Sequence, residues 1–277
     1  MEGILDTLKT LLIDSYALFP AIVMGFLFLF GTLTSNIGML FLLLGHAILV
    51  PSLNMLSNPF KITGAADGIR YGFAGLFVYV TLSLGFFTDA IGWNSLLLAL
   101  LPMIGMLAYP ARSVPEGSDA GPGCAVYPGS DTDYFSRPSA WVAHTVFFFT
   151  FLISNATYIY SLPTPDIQNP STDPTVNESR TKNLLERVAN RKNLAATIIA
   201  FSLITLIGFL FIRYRYTGCE GFSPLTLLPI LGIATTSIAW FRTITTRCGV
   251  RPTDILGIVQ NLISPDLQDS PIVCVGT

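Results

Sequence analysis

The chain has 277 residues, of which 51% are hydrophobic and only 12% are charged, and its formal net charge is −2. A soluble domain carries about twice this fraction of charged residues, about 25%. The composition therefore argues against a soluble domain, a nucleic-acid-binding module, a disordered chain and a disulfide-dense mini-protein. It predicts an all-α, polytopic transmembrane helix bundle with six or seven helices and amphipathic interfacial helices at both ends.

The first residues, 1–14, have the pattern of an amphipathic helix. Ile4, Leu5, Leu8 and Leu11 share one face, and charged residues lie on the rest of the surface. This spacing predicts a helix in the membrane interface, with an ordinary packing helix as the alternative. The segment lacks the positively charged beginning of a cleavable signal peptide.

Stretches without Asp, Glu, Lys or Arg supply seven candidate transmembrane helices, each of which needs about 20 apolar residues. The stretch from Ser15 to Asn58 is long enough for two of them. They lie near 16–34, 38–57, 71–88, 90–111, 140–161, 193–212 and 221–241. Small and turn-forming residues at 34–38 predict a tight hairpin between the first two. Pro102 and Gly105 interrupt the fourth, so this run is predicted either to cross or to dip in and return.

These runs and their connections define the predicted domain organisation. The segments are an amphipathic N-terminal helix (1–14), the first transmembrane hairpins with the Pro-interrupted run 90–111 (15–112), a Gly-, Pro- and Asp-rich loop (113–138), a transmembrane helix (139–162), a Pro-rich loop and basic helix (163–193), two transmembrane helices (194–241) and an amphipathic C-terminal tail (242–277). Helix potential resumes at about Glu178 and is predicted to continue into the next span. Such a helix would project from the membrane and offer a docking surface.

The positions of Lys and Arg bear on the number of crossings. With seven crossings, one side carries seven Lys and Arg residues and the other eight, which gives no orientation. If 90–111 does not cross, the division becomes eleven against four, with both termini cytosolic. Because cytosolic loops are enriched in Lys and Arg, the count favours six crossings.

No predicted span contains an acid or a strong base. Coupled transporters and pumps usually keep such residues within the membrane, so this class is disfavoured. His46 lies in the second span, where we expect it to form a hydrogen bond across a helix interface. A channel lined by backbone or by Ser, Thr and Asn stays open as an alternative.

The string from Ser136 to His144 reads Ser-Arg-Pro-Ser-Ala-Trp-Val-Ala-His. It resembles short motifs of the membrane phosphatidic-acid phosphatase family, which implies a His nucleophile, a His acid and a phosphate held by Arg and Lys. Position 130, where the family has Lys, is Ser, and no His follows His144. We therefore interpret Arg137, Trp141 and His144 as interfacial anchors, with a degenerate phosphatase-like enzyme as an alternative.

Four cysteines divide into two pairs by predicted side. Cys124 and Cys219 lie on one side of the membrane and could form a disulfide if that side is oxidising. Cys248 and Cys274 lie on the other. No Cys or His spacing indicates a zinc site, and no motif indicates a cofactor. Asn177 begins a glycosylation sequon that reports on topology.

A basic set precedes the predicted span at 193–212. Its members are Arg180, Lys182, Arg187, Arg191 and Lys192. They are candidate contacts for anionic lipid, and a cytosolic-side anchor is the simpler interpretation.

The expected function is a non-enzymatic structural or assembly role in a membrane. Partners would be the bilayer and other proteins bound through loops and tails, with a homo-oligomer an open option and nucleic acid not expected. The layout resembles that of multi-pass internal-membrane proteins of large DNA viruses, which implies a virion membrane, or the host membrane it derives from, and contact with a capsid or scaffold. A channel or uncoupled transporter is the alternative.

Overall fold

The computed structural model describes residues 2–9, 18–50, 112–113, 134–135, 139–164, 174–216 and 224–246. The predicted spans 71–88 and 90–111 and residues 247–277 of the predicted C-terminal tail lie outside these residues, whereas residues 242–246 belong to the last described helix. The described part is helical apart from one ladder of two-residue strands. Its helices are α1 (Glu2–Lys9), α2 (Leu18–Leu33), α3 (Ile37–Leu44), α4 (Ala140–Ser161), α5 (Pro174–Tyr216) and α6 (Pro224–Thr246).

The two short strands lie at the ends of the predicted 113–138 loop. They are β1 (Arg112–Ser113) and β2 (Tyr134–Phe135). Their pairing is antiparallel, with Arg112 opposite Phe135 and Ser113 opposite Tyr134. The two ends of this connection therefore meet.

The predicted hairpin between α2 and α3 is present, and its turn is a Schellman motif. The amide of Asn36 donates to Gly31 O at 2.8 Å, and the amide of Ser35 donates to Thr32 O at 3.2 Å. Ser35 has a φ of 51°, the left-handed conformation that this motif requires. Asn36 then caps α3, because its Oδ1 accepts a hydrogen bond from the amide of Met39 at 3.1 Å.

Helix α3 continues without a break into a π-helical segment, Gly45–Leu49, and then Val50. In a π segment each amide bonds to the carbonyl five residues earlier, and such segments are rare and frequently occur at functional sites. This one contains His46.

Among the described helices, α4 is the central one and packs on both α5 and α6. Its N-terminal end contacts the C-terminal end of α5, since Arg213 lies over the ring of Trp141. Its C-terminal end contacts the middle of α5, where Arg191 donates to Leu162 O. Helices α4 and α5 are therefore antiparallel.

Helix α6 runs in the same direction as α4. Ser237 Oγ donates to Phe147 O at 2.6 Å, and one turn further along both helices Phe151 and Phe241 stack edge to face. The core formed by α2, α3, α4 and α6 is apolar and contains Leu27, Leu42, Phe147, Phe151 and Ile233.

Helix α3 runs opposite to α4. Phe41 O accepts a hydrogen bond from Trp240 of α6, which lies about one turn further along the bundle than Phe147. Gly45, one turn later in the chain, lies against Phe147 itself. His46 then contacts His144, one turn before Phe147. The end of α3 and the beginning of α4 consequently lie at the same end of the bundle.

Within the described residues, two helices are long and apolar enough to cross a membrane, judged by length and composition: Trp141–Ser161 and Asn177–Arg215. The most apolar part of the first is 67% buried within the protein, whereas that of the second is only 11% buried. Exposed apolar side chains follow one another along α5, including Phe201, Ile204, Ile207 and Phe211. Contiguous apolar surface of this kind marks contact with a membrane or a partner.

The helices predicted near 16–34, 140–161 and 221–241 are present as α2, α4 and α6. The prediction that one helix joins the basic segment to the span after it is confirmed, because α5 has 43 uninterrupted residues. It begins at Pro174 rather than near Glu178. Proline is compatible with a first helical turn, since the missing N–H would have no partner there.

Candidate functional site

The two histidines of the chain form a direct contact between α3 and α4. His46 Nδ1 and His144 Nδ1 are 3.0 Å apart, and the rings stack with centroids 5.3 Å apart and planes 15° apart. The side chains retain 1% and 9% of their exposure, so the pair is buried. The prediction of a hydrogen bond from His46 across a helix interface is confirmed.

The surroundings of the pair are apolar. The ring of His46 lies edge-on to Phe147, with centroids 5.0 Å apart, and 6.0 Å from the ring of Phe148. Among the described residues, no charged side chain contacts either histidine. A charged imidazole would therefore have no counter-ion within this part of the chain.

The geometry assigns hydrogen-bonding roles to the ring nitrogens. In a neutral pair, one Nδ1 carries a hydrogen and donates it to the lone pair of the other. His46 Nε2 is buried and makes no hydrogen bond within the described residues. Since buried N–H groups are rarely left without an acceptor, this nitrogen is best assigned as bare. His46 is then the Nδ1–H donor and His144 the acceptor.

Two further hydrogen bonds fasten α6 beside the pair. Trp240 Nε1 donates to Phe41 O at 2.9 Å, and Ser237 donates to Phe147 O. Gly45 makes the close approach feasible, because a Cβ there would lie 2.8 Å from both Phe147 Cζ and Trp240 Nε1. The sequence reasoning missed this cluster. Its only signal was a glycine next to the single histidine of an apolar run.

The string from Ser136 to His144 contains the beginning of α4. Ser139 is the N-cap, with its Oγ 3.4 Å from the amide of Val142. Trp141 is fully buried against Arg213, whose guanidinium carbon is 4.9 Å from the ring centroid. Arg137 lies outside the described residues. The interfacial-anchor role of Trp141 and His144 stays a prediction, but both side chains pack inside the protein.

The implied phosphatase constellation is not assembled by the described residues. His46 is the second histidine beside His144, yet the two Nδ1 atoms bond to each other within an aromatic shell. A nucleophile would need an open path to phosphate and a cation to hold it. The described part of the chain brings neither Lys nor Arg to the pair.

The basic set divides into two groups in the structure. Arg191 is buried and its Nη2 donates to Leu162 O at 2.6 Å, at the end of α4. Burial lowers the pKa of Arg191 from its ordinary value, because desolvation disfavours the charged form, but arginine remains protonated. Lys192 Nζ lies 5.9 Å from the ring centre of Tyr160. Arg180, Lys182 and Arg187 are exposed, and lipid binding by the set stays a prediction.

The candidate metal ligands and the predicted disulfide can be examined only where the structure describes the chain. It contains no group of three or more His, Cys, Asp or Glu side chains that could hold a metal ion. Cys124 and Cys219 lie outside it, so their predicted disulfide is untested. Asn177 of the sequon lies in the first turns of α5.

The chain matches no family model, no curated protein and no solved structure.

Proposed function

We propose that the chain is a multi-pass membrane protein with a structural or assembly role, and that the N-terminal half of α5 binds a partner protein outside the bilayer. We name this half, residues 174–193, the stalk. The observation that carries the proposal is the length of α5. Its 43 residues correspond to about 64 Å at 1.5 Å per residue.

The length of α5 exceeds what a bilayer requires. The uncharged run 194–212 would extend about 28 Å, which is close to the roughly 30 Å thickness of the hydrocarbon core. The stalk would then project about 30 Å beyond it. Its surface is polar and exposed over most of its length, with Leu185 at 56% exposure. A long exposed helix held at one end by Arg191 is suited to contact with another protein.

The helix directions bear on the number of crossings. Because α3 ends and α4 begins at the same end of the bundle, an even number of crossings must lie between them. The runs 71–88 and 90–111 supply two, so we favour seven crossings over the six favoured by the charge count. The α2–α3 turn and the stalk then lie on one side of the membrane.

The setting we propose is the internal membrane of a virion, beneath a capsid or scaffold, on the resemblance of layout alone. The absence of acids and strong bases from the predicted spans supports assembly over ion-coupled transport. The buried, mutually bonded histidines are arranged for packing rather than for attack on a substrate.

The test is purification from the native membrane in mild detergent. We expect stoichiometric partner proteins with the wild type and their loss in the stalk variant Lys182→Glu/Leu185→Glu, because both side chains are exposed. The matched control, Ile204→Ala on the apolar part of α5, should retain them. Ion or solute flux through pure reconstituted vesicles, or equal partner recovery with the stalk variant, would contradict the proposal.

A further inference from the structure

We propose that the His46–His144 pair is a proton-sensitive latch that holds the α2–α3 hairpin against α4. The neutral pair has one N–H···N hydrogen bond, from Nδ1 of His46 to Nδ1 of His144. A first proton adds to the bare Nε2 of His46 and leaves this bond in place. A second proton adds to Nδ1 of His144, so that both Nδ1 atoms become donors. The bond is then lost and two like charges face each other.

Nothing described around the pair would offset those charges. Helices α2, α3 and α4 contain no Asp, Glu, Lys or Arg. Helix α6 contributes only Arg242, which is exposed, and the nearest charge on α5 is Arg213, beside Trp141. The glutamates of α5, Glu178 and Glu186, lie in the stalk at the opposite end of α4. Two imidazolium rings at this position would repel each other without a nearby carboxylate.

Because of the position of the pair, loss of its hydrogen bond would affect how the hairpin packs against α4. It lies in the π-helical turn Gly45–Leu49, where a Cβ added at Gly45 would lie only 2.8 Å from the ring of Phe147 in α4. A π turn is a rare interruption of the α-helical hydrogen-bond pattern and frequently occurs at a functional site. Repulsion at His46 would therefore push α3 away at the point where the close packing of Gly45 leaves least room. The hairpin turn at Thr34–Ser35–Asn36 would separate from the far end of α4.

The test measures distances between spin labels in lipid, in a background with the four cysteines replaced by serine. Labels at Thr34→Cys and Ser161→Cys, both exposed, report on the separation of the hairpin from α4. We expect a defined distance distribution at about pH 7.5 that shifts to longer distances only in stronger acid, at about pH 3, because burial without a counter-ion opposes the charged form of imidazole by several pH units. A second pair, Thr157→Cys and Thr197→Cys, reports on α4 against α5 and should not change.

The control variant is His46→Gln/His144→Gln, which retains hydrogen-bonding groups but does not titrate. Its hairpin distance should be the same at both pH values. The proposal is overturned if the wild-type hairpin distance does not respond to pH, if the Gln variant responds equally, or if both label pairs lengthen together, as in general unfolding. If the Gln variant does not fold, nitrogen NMR of the wild-type protein tests the proposal instead. The proposal requires a coupling between the two Nδ1 nuclei at neutral pH that disappears in acid.

Discussion

Close contacts at single residues hold the hairpin to the bundle. Gly45 is the clearest case, because any larger residue would overlap both the ring of Phe147 and the indole nitrogen of Trp240. The same indole donates to Phe41 O, so displacing it also breaks a hydrogen bond. The stability of the interface therefore depends on the absence of one methyl group.

We predict that Gly45→Ala destabilises the protein by about 1–3 kcal/mol, the usual cost of overpacking. Gly208→Ala is the matched control, since a Cβ there meets nothing within 4 Å. Alanine is the better helix former by about 1 kcal/mol, so the control should be neutral or stabilising. The measurement is the unfolding midpoint in mixed detergent. Equal midpoints for the two variants would contradict the packing described for α3.

Residue-level prediction succeeded where one side chain determines a local structure. The turn-forming residues at 34–38 and the hydrogen bond of His46 were predictable, because an apolar run offers a polar ring few partners. That His46 pairs with His144, 98 residues away, was not predictable from one sequence. The contact depends on the direction of α3 and on the close approach at Gly45. Neither property is contained in local periodicity.

At the scale of elements, α5 is the most informative helix. Its polar beginning and apolar remainder form one rod, anchored where Arg191 donates to Leu162 O. The hydrophobic pattern predicted this continuity, because no proline or glycine interrupts the segment between them. The predicted start of the helix was four residues too late. The prolines before it argue against a helix, although proline is acceptable in the first turn.

We predict that Asn190→Pro bends α5 between the stalk and the apolar run. Proline removes one backbone hydrogen bond and clashes with the preceding turn, at a cost of about 3 kcal/mol. Labels at Thr181→Cys and Thr197→Cys should lie about 24 Å apart along the axis in the otherwise unchanged helix. We expect a shorter and broader distribution with Asn190→Pro, and the unchanged distribution with Asn190→Ala. An unaltered distance in the proline variant would refute a continuous rod.

At the scale of the whole molecule, composition and packing lead to different crossing numbers. The distribution of Lys and Arg favours six. The antiparallel direction of α3 and α4 places the turn at Thr34–Ser35–Asn36 and the stalk on the same side of the membrane. This arrangement is the one that seven crossings produce. The count of Lys and Arg is only indirect evidence for orientation here, because the basic segment 180–192 belongs to a helix that packs against α4. The contacts of Arg191 and Lys192 explain part of that charge without reference to orientation.

The helix directions and the membrane crossing of α5 are tested together by side-specific labelling of single cysteines in sealed native vesicles of one orientation. The substitutions are Thr34→Cys, Lys182→Cys and Arg215→Cys, all at exposed positions, in the background without native cysteines. With a membrane-impermeant maleimide, we predict that positions 34 and 182 react from the same side and position 215 from the opposite side. Reaction of 34 and 182 from opposite sides would contradict the helix directions, and reaction of all three from one side would contradict a membrane-spanning α5.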